Sequence, residues 1–200
     1  MTTRFQLVVD KLAGGGGKLI PMNNRAYGFT IVELLIVIVV IAILATLGFL
    51  SYTNIQQRAH NTQIISAVNA YQKALQLYAS EKGTYPVSSD APAYGICLGD
   101  GYADPCWSGI SGTYSTNATL DTVLGAYMSG KPTITPKYYA EGSQDTRSGI
   151  VYFRNEPTGN RSISYILEGG SQPCSISGAT IQASLAGGAA TRCRLILPGT

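Results

Sequence analysis

The clearest hydrophobic pattern in the chain is an apolar run near its N-terminus. Residues 29–50 read FTIVELLIVIVVIAILATLGFL, and no residue from Leu34 to Gln57 carries a charge. About 20 apolar residues suffice for a helix to cross a membrane, because each residue adds about 1.5 Å of rise. The pattern therefore predicts a membrane-spanning helix over residues 29–50, in which Glu33 is the one charged residue.

A second pattern, with the period of an amphipathic helix, comes after the apolar run. Residues 51–82 contain neither Pro nor Gly, and Gly83 and Pro86 end the pattern. We predict that the helix continues through residues 51–82. Its apolar stripe is expected to pack on a sheet rather than in a coiled coil, because a sheet must bury one face. The stripe consists of Ile64, Val68, Tyr71, Leu75 and Tyr78.

The remaining residues, 83–200, alternate between loop and strand composition. Residues 87–117 are rich in Gly, Ser, Asp, Tyr and Pro, which is typical of a surface loop. Residues 119–129 show one apolar face and predict a short helix capped by Thr119. We predict an α+β fold in which the long N-terminal helix packs on a small antiparallel β-sheet. The predicted strands are 133–135, 137–140, 149–154, 162–168 and 192–197, with 149–154 and 162–168 joined as a hairpin.

The positive charge of the chain is concentrated in its first 28 residues. The chain has a net charge of +3, and residues 1–28 hold four basic residues against one acidic residue. Residues 29–200 hold ten of each sign. Basic residues before an apolar segment keep the N-terminus on the cytoplasmic side of a membrane. The neutral remainder gives no support for nucleic-acid binding through net charge.

The residues at the start of the apolar run form a specific motif. Gly28 directly precedes the run, and Phe29, Thr30 and Glu33 come next in fixed register. This motif, with LLIVIVVIAILA after it, resembles the class III signal of type IV prepilins and pseudopilins. The resemblance implies a pilin fold, cleavage after Gly28 by a prepilin peptidase, and methylation of the new N-terminal residue, Phe29. It also implies that Glu33 serves in filament assembly.

Two other interpretations of the apolar run are an ordinary membrane anchor and a cleaved secretory signal. An anchor explains the apolar length but gives no reason for Glu33. Ala42, Ala45 and Gly48 imitate a secretory cleavage site, but they lie inside the run rather than after it. Both interpretations are therefore disfavoured.

The leader that cleavage after Gly28 would remove comprises residues 1–28. This is longer than the usual leader of the family, and a start of translation at Met22 would give an ordinary length. A genuine long leader with a flexible linker at Gly14–Gly17 is the alternative. In both cases residues 1–28 are expected to lie outside the mature fold.

Glu33 needs a partner if it lies within a membrane. Charged side chains in such positions are costly, and they usually mark a functional site. Cleavage after Gly28 would create a positive amine on Phe29, and in a bundle of helices Glu33 of one subunit can neutralise the amine of a neighbour. We therefore predict an assembly salt bridge between Glu33 and Phe29 that fixes the axial register. The alternative is a carboxylate that reaches the headgroups and acts only in topology.

The four cysteines predict disulfide bonds in an exported head. Export places them in an oxidising setting, and four cysteines allow three pairings. The pairs Cys97–Cys106 and Cys174–Cys193 are favoured because each closes a local loop. The second pair also resembles the C-terminal disulfide loop of many pilins.

The sequence gives little support for a metal site or an active site. No C-x2-C spacing occurs, and His60, the only histidine, is expected to face solvent. Asp100 and Asp104 lack the spacing of an EF-hand loop. No nucleophile elbow or phosphate-binding loop is present, and a catalytic triad would lack its usual base. We therefore predict a protein that is not an enzyme and binds no metal or cofactor.

Together, these patterns and the resemblance predict the subunit of a type IV pilus that serves adhesion, twitching motility or DNA uptake. Its expected partners are other pilin subunits, the prepilin peptidase and methyltransferase, the assembly platform with its ATPase, and the cytoplasmic membrane. It would cross that membrane once, N-terminus inside, and then join a surface filament. The alternatives are a pseudopilin of a type II secretion or competence system and a membrane-anchored binding domain that never polymerises.

Overall fold

The computed structural model describes residues 28–87, 94–102, 104–110, 112–154 and 160–199, without the side chains of residues 47–51. The predicted leader, residues 1–28, lies outside this range except for Gly28, and so does the possible start at Met22. The chain divides into two compact units, Met1–Ala45 and Thr46–Thr200. Helix α1, Ile31–Lys82, contributes residues to both units.

The described part of the first unit is the beginning of helix α1. Every side chain from Ile31 to Ala45 is exposed, and the large apolar side chains among them are 48–86% exposed. In the described part of the chain, no helix combines the length and the apolarity that crossing a membrane requires. The side chains of residues 47–50, at the end of the predicted span 29–50, lie outside the described residues.

The second unit contains a five-stranded antiparallel sheet and a two-stranded ribbon. The sheet has the order β1-β4-β5-β7-β6, and β2 pairs with β3 in the ribbon. The predicted α+β fold is therefore confirmed. The strands are β1 (Gly95–Leu98), β2 (Tyr139–Glu141), β3 (Asp145–Arg147), β4 (Ile150–Phe153), β5 (Ser162–Glu168), β6 (Ala179–Leu185) and β7 (Ala190–Ile196), with helix α2 (Ala118–Gly125) and a 3₁₀ turn (Ala186–Gly188) between them.

The five-stranded sheet buries both of its faces. Alternate residues of a strand point to opposite faces, and they divide here between two apolar clusters. In β4, Ile150 and Tyr152 join the cluster that packs on α1, whereas Val151 and Phe153 join the second cluster. The central strands are therefore buried along nearly their whole length.

Helix α1 covers one face of this sheet with the stripe that its period predicts. Ile64, Val68, Tyr71 and Leu75 are at most 1% exposed and belong to the larger cluster. Tyr78 is 6% exposed. The stripe packs on the sheet of its own chain, as predicted.

The predicted strands agree with the structure in the sheet and differ beside it. The hairpin is confirmed, since β4 pairs with β5 in the register Phe153↔Ser162. The predicted strand at 192–197 corresponds to β7, which pairs on both sides. Residues 133–135 form no strand, and only an isolated bridge joins Thr133 to Asp100, because no second strand lies alongside them.

The prediction of a surface loop over residues 87–117 is wrong for much of the described part of this segment, which begins again at Tyr94. Strand β1 lies in this segment, and all four of its residues are buried. Trp107 is 4% exposed, and the Cys97–Cys106 disulfide is fully buried. Strand β1 pairs with β4, so contacts distant in sequence override the loop composition.

The N-cap of helix α2 lies two residues before the predicted cap, Thr119. Asn117 is the N-cap, and its side-chain oxygen accepts hydrogen bonds from the amides of Thr119 and Leu120 at 3.0 and 3.1 Å. Thr119 lies inside the helix, since Asn117 is the residue with the extended backbone that a cap requires. The helix ends at Gly125 rather than at residue 129.

His60 is buried, which corrects the prediction that it faces solvent. Its side chain is 9% exposed, and its Nε2 lies 3.0 Å from the carbonyl oxygen of Thr135. Its Nδ1 lies 4.0 Å from the carboxylate of Glu168 at the end of β5. The covering residues come from the sheet side of the unit and are distant in sequence.

Asn61 joins helix α1 to the end of strand β5 through two hydrogen bonds. Its Nδ2 donates to the carbonyl of Glu168 at 2.9 Å, and its Oδ1 accepts from the amide of Glu168 at 2.8 Å. We expect Asn61→Ala to lower the free energy of unfolding by about 1–2 kcal/mol, because the amide of Glu168 loses its partner. The carbonyl of Glu168 keeps a hydrogen bond from Gln57 Nε2 at 2.9 Å. Denaturant unfolding measures the change. Asn54→Ala, at an exposed position of the same helix, is the control and should have little effect; equal losses in both variants would contradict this role of Asn61.

Candidate functional site

The candidate site is the junction between Gly28 and the first turn of helix α1. Residues 28–30 have no regular structure, and the helix begins at Ile31. Phe29 is 86% exposed. No described atom lies within 4 Å of the position that a Cβ of Gly28 would occupy. A peptidase would therefore meet an accessible peptide bond in this part of the chain.

Glu33 forms a reciprocal cap with Thr30 at the start of the helix. Its Oε2 accepts hydrogen bonds from the amide and from the hydroxyl of Thr30, both at 2.9 Å. The amide of Glu33 in turn donates to the Thr30 hydroxyl oxygen at 3.2 Å. This arrangement is a capping box, which satisfies amides that a helix start otherwise leaves without a partner.

The capping box was missed in the sequence analysis, although the sequence contains its signal. Thr30-x-x-Glu33 directly before an apolar run is the pattern of a capping box. The box holds the Glu33 carboxylate beside the residue that comes after Phe29. Thr30 already binds the Glu33 carboxylate, and Phe29 directly precedes Thr30. A positive amine created at Phe29 would therefore be next in sequence to the residue that binds this carboxylate.

Two disulfides hold the loops of the second unit, and they are the pairs that the sequence analysis favours. Cys97–Cys106 connects β1 to the segment before Trp107, and Cys174–Cys193 connects a loop to β7. The Tyr165 hydroxyl donates to the carbonyl of Cys174 at 2.6 Å, next to the second bond. Both pairs lie within the apolar clusters, so their role here is structural.

Asp100 and Asp104, the two aspartates that were considered as calcium ligands, have other partners in the structure. Asp100 pairs with Lys131 at 2.7 Å, and Asp104 accepts a hydrogen bond from the amide of Thr116 at 3.2 Å. Lys131 also pairs with Asp121 at 2.6 Å. Within the described ranges, no group of three or more His, Cys, Asp or Glu side chains is arranged to hold a metal ion.

Comparison with known proteins assigns the N-terminal segment. The model of the prokaryotic N-terminal methylation motif matches residues 23–49, which contain Gly28, Phe29 and Glu33. The chain carries a prepilin-type N-terminal motif. This result confirms the prepilin-type motif found in the sequence.

Two curated relatives are similar to a part of the chain. The chain is 39% identical over 60 residues to the prepilin peptidase-dependent protein D of Escherichia coli (strain K12), a match that covers 30% of this chain and 41% of that protein. It is 28% identical over 86 residues to the fimbrial protein EcpC of Eikenella corrodens, covering 43% and 56% respectively. The chain thus spans about half the length of these relatives. No solved structure matches the chain.

Proposed function

We propose that this protein is a structural subunit of a type IV pilus. A prepilin peptidase cleaves it after Gly28, Phe29 becomes the methylated N-terminus, and the apolar start of α1 anchors it in the cytoplasmic membrane. The same segment then packs with its copies in the filament core. The protein is a substrate of processing enzymes and has no enzymatic activity of its own.

The observation that carries this proposal is an apolar helix start whose side chains the described residues of the chain leave exposed. The apolar side chains from Ile31 to Leu44 are about half exposed or more within the first unit, and they come directly after the prepilin-type cleavage sequence. Apolar surface of this extent is removed from water by lipid or by other proteins. A segment that is anchored first and assembled afterwards uses both environments in turn.

The second unit supports a role outside the cytoplasm. Its two disulfides are stable in an oxidising compartment. One face of its sheet packs against helix α1. The apolar stripe of α1 is buried by this packing. Filament contacts are therefore assigned to the exposed apolar part of α1 in the first unit.

Shearing of cells distinguishes this function from its alternatives. We expect the processed protein in quantity in the sheared fraction, in filaments visible by electron microscopy. Processed protein that stays in the cell envelope and is needed for secretion or for competence would indicate a pseudopilin. A protein that stays in the membrane and never forms oligomers would indicate an anchored binding domain.

Cleavage is tested by Gly28→Val, which we expect to leave the leader attached. The branched side chain would not fit the glycine subsite of the peptidase, whereas it meets no described atom in its own chain. Intact mass should show a start at Phe29 with one additional methyl group for the unaltered protein, and at least a tenfold loss of this species in the variant.

Ala26→Val, two residues before Gly28, is the matched control and should still be processed. A processed Gly28→Val protein would contradict the cleavage site. An N-terminus between residues 42 and 50 in the unaltered protein would establish an ordinary secretory signal instead.

A further inference from the structure

Strand β6 forms an edge of the five-stranded sheet. It pairs with β7 on one side, and no described strand pairs with its other side. An open edge presents a row of backbone amides and carbonyls, which can pair with a strand from another molecule. The opposite edge, β1, is partly covered, since the Cys97 amide donates to the Ser115 carbonyl at 3.0 Å and a bridge joins Cys97 to Thr116. Strand addition to this sheet is therefore expected at β6.

The composition of β6 leaves its edge largely unprotected. Proteins usually protect an edge strand with charged side chains, a proline, a bulge or a covering segment. Residues 174–191 contain no charged residue and no proline. Most residues of β6 are exposed, and the Ile181 side chain, near the middle of the strand, is 53% exposed. Of the usual protective features, the strand has a bulge, between Ile181 and Ala183.

The bulge determines how strong a contact at this edge can be. A bulge bends its strand and interrupts the ladder of hydrogen bonds. Pairing along β6 is therefore short, and one short strand pair is marginally stable by itself. The same contact becomes strong when two assemblies make it many times at once, because the second and later contacts form at a high effective concentration.

A second copy of the chain is the partner whose chemistry fits this edge. The β6 strand of the copy is equally uncharged, so no like charges meet when the two strands lie side by side. Residues 29–200 hold ten basic and ten acidic residues, so two mature chains do not repel each other through net charge. A highly charged peptide would find no opposite charge on β6.

We propose that β6 pairs in antiparallel orientation with β6 of a second copy, across a two-fold axis, so that two sheets become one. Both copies then use the same surface, which is the usual arrangement of a symmetric contact. The axis passes between two opposing residues of the ladder. One residue of β6 therefore lies opposite its own copy, with the two Cα atoms about 4.5–5.5 Å apart.

For a filament, this contact has a specific consequence, which rests on the proposed function. Subunits of one helical filament are related by a screw rotation, and they have no two-fold axis between them. A contact between two β6 strands therefore joins subunits of neighbouring filaments. We expect it to hold filaments together side by side in bundles.

Disulfide trapping tests the contact in the full-length chain. The native cysteines are all paired, so an introduced cysteine is the single free thiol. A Cα separation of about 4.5–5.5 Å suits a disulfide. Each variant is purified in detergent and oxidised mildly at about 1 mM, where a weak contact is populated. The single variants are Thr180→Cys, Ile181→Cys, Gln182→Cys, Ala183→Cys and Ser184→Cys.

We expect the yield of cross-linked dimer to peak at one position of β6 and to fall on both sides of it. At the peak, the yield should be at least tenfold above that of Ser66→Cys, at an exposed position of helix α1. Five positions keep the test decisive if one variant fails to fold. Mass spectrometry of the cross-linked product identifies the partner as a second copy.

A change of charge tests the consequence for filaments. Gln182→Lys places like charges opposite each other, so sheared filaments should be single rather than bundled in electron micrographs, and Gln182→Glu should behave in the same way. A mixture of the two kinds of filament should form bundles again, because opposite charges then meet across the contact. Ser66→Lys, with the same charge outside β6, is the control and should leave bundling unchanged.

The proposal is overturned if no β6 position cross-links above Ser66→Cys, if all five cross-link equally, or if the product contains a different protein. Single filaments from the unaltered chain, or a mixture that stays single, would also contradict it. These results are distinct from failure of the proposed function. A peak of cross-linking without any sheared filaments would support the β6 contact and contradict the pilus, whereas filaments without such a peak would contradict the contact alone.

Discussion

Glu33→Val is expected to abolish filament formation while leaving the protein processed and in the membrane. The substitution removes the one charge of the apolar run, so insertion becomes easier. The cut site after Gly28 is unchanged. If Glu33 pairs with a neighbour's Phe29 amine, the variant leaves this amine unpaired, and an unpaired charge in an apolar bundle is strongly unfavourable. Because this penalty recurs at every subunit, we expect sheared filaments to fall by about a hundredfold or more.

The capping box makes a sharper version of this experiment possible. Glu33→Gln retains an oxygen that can accept from Thr30, and Gln is a normal member of a capping box, but the charge is lost. Thr30→Val removes the hydroxyl and keeps the charge. If ion pairing drives assembly, Glu33→Gln should fail as Glu33→Val does, whereas Thr30→Val should still assemble, with reduced yield.

The opposite result would assign a different role to Glu33. Normal filaments from Glu33→Gln together with none from Thr30→Val would mean that the carboxylate serves to cap the helix. Normal filaments from Glu33→Val would exclude both roles. A Glu33→Val protein that fails to insert would show that Glu33 acts in topology. Intact mass and membrane fractionation of the same cells distinguish these results.

Loss of the Cys174–Cys193 disulfide is expected to have the largest effect on stability. Cys193 lies in β7, between β5 and β6, and it is fully buried in the cluster that packs on α1. The bond fixes the loop at Cys174 to this central strand. Removal of a native disulfide from a small exported domain typically costs about 2–5 kcal/mol. We expect Cys174→Ser to lower the yield of folded protein several-fold.

A free thiol at Cys193 could itself cause misfolding, so a second variant is needed. Cys174→Ala combined with Cys193→Ala removes both sulfurs and excludes wrong pairing, and it should remain destabilised by a similar amount. Ser177→Ala, at an exposed position of the same loop, is the matched control. Peptide mapping without reduction should show Cys97 linked to Cys106 and Cys174 to Cys193. Free thiols at all four positions would contradict the exported head.

Local patterns in the sequence determined the elements that neighbouring residues encode. The stripe from Ile64 to Tyr78 results from helical period, and the β4–β5 hairpin results from two apolar segments separated by turn residues. The capping box of Thr30 and Glu33 belongs to the same class, since its two members are three residues apart. Such features can be predicted without the rest of the chain, because the residues that form them are close together in sequence.

Only the tertiary structure decided which polar or loop-like residues are buried. Strand β1 has loop neighbours in sequence, and it is a strand because β4 lies alongside it. His60 has polar neighbours in sequence, and it is buried because Thr135 and Glu168 cover it. Pairing between distant residues depends on how the loops bring the strands together. It is therefore determined by the whole chain and not by any one segment.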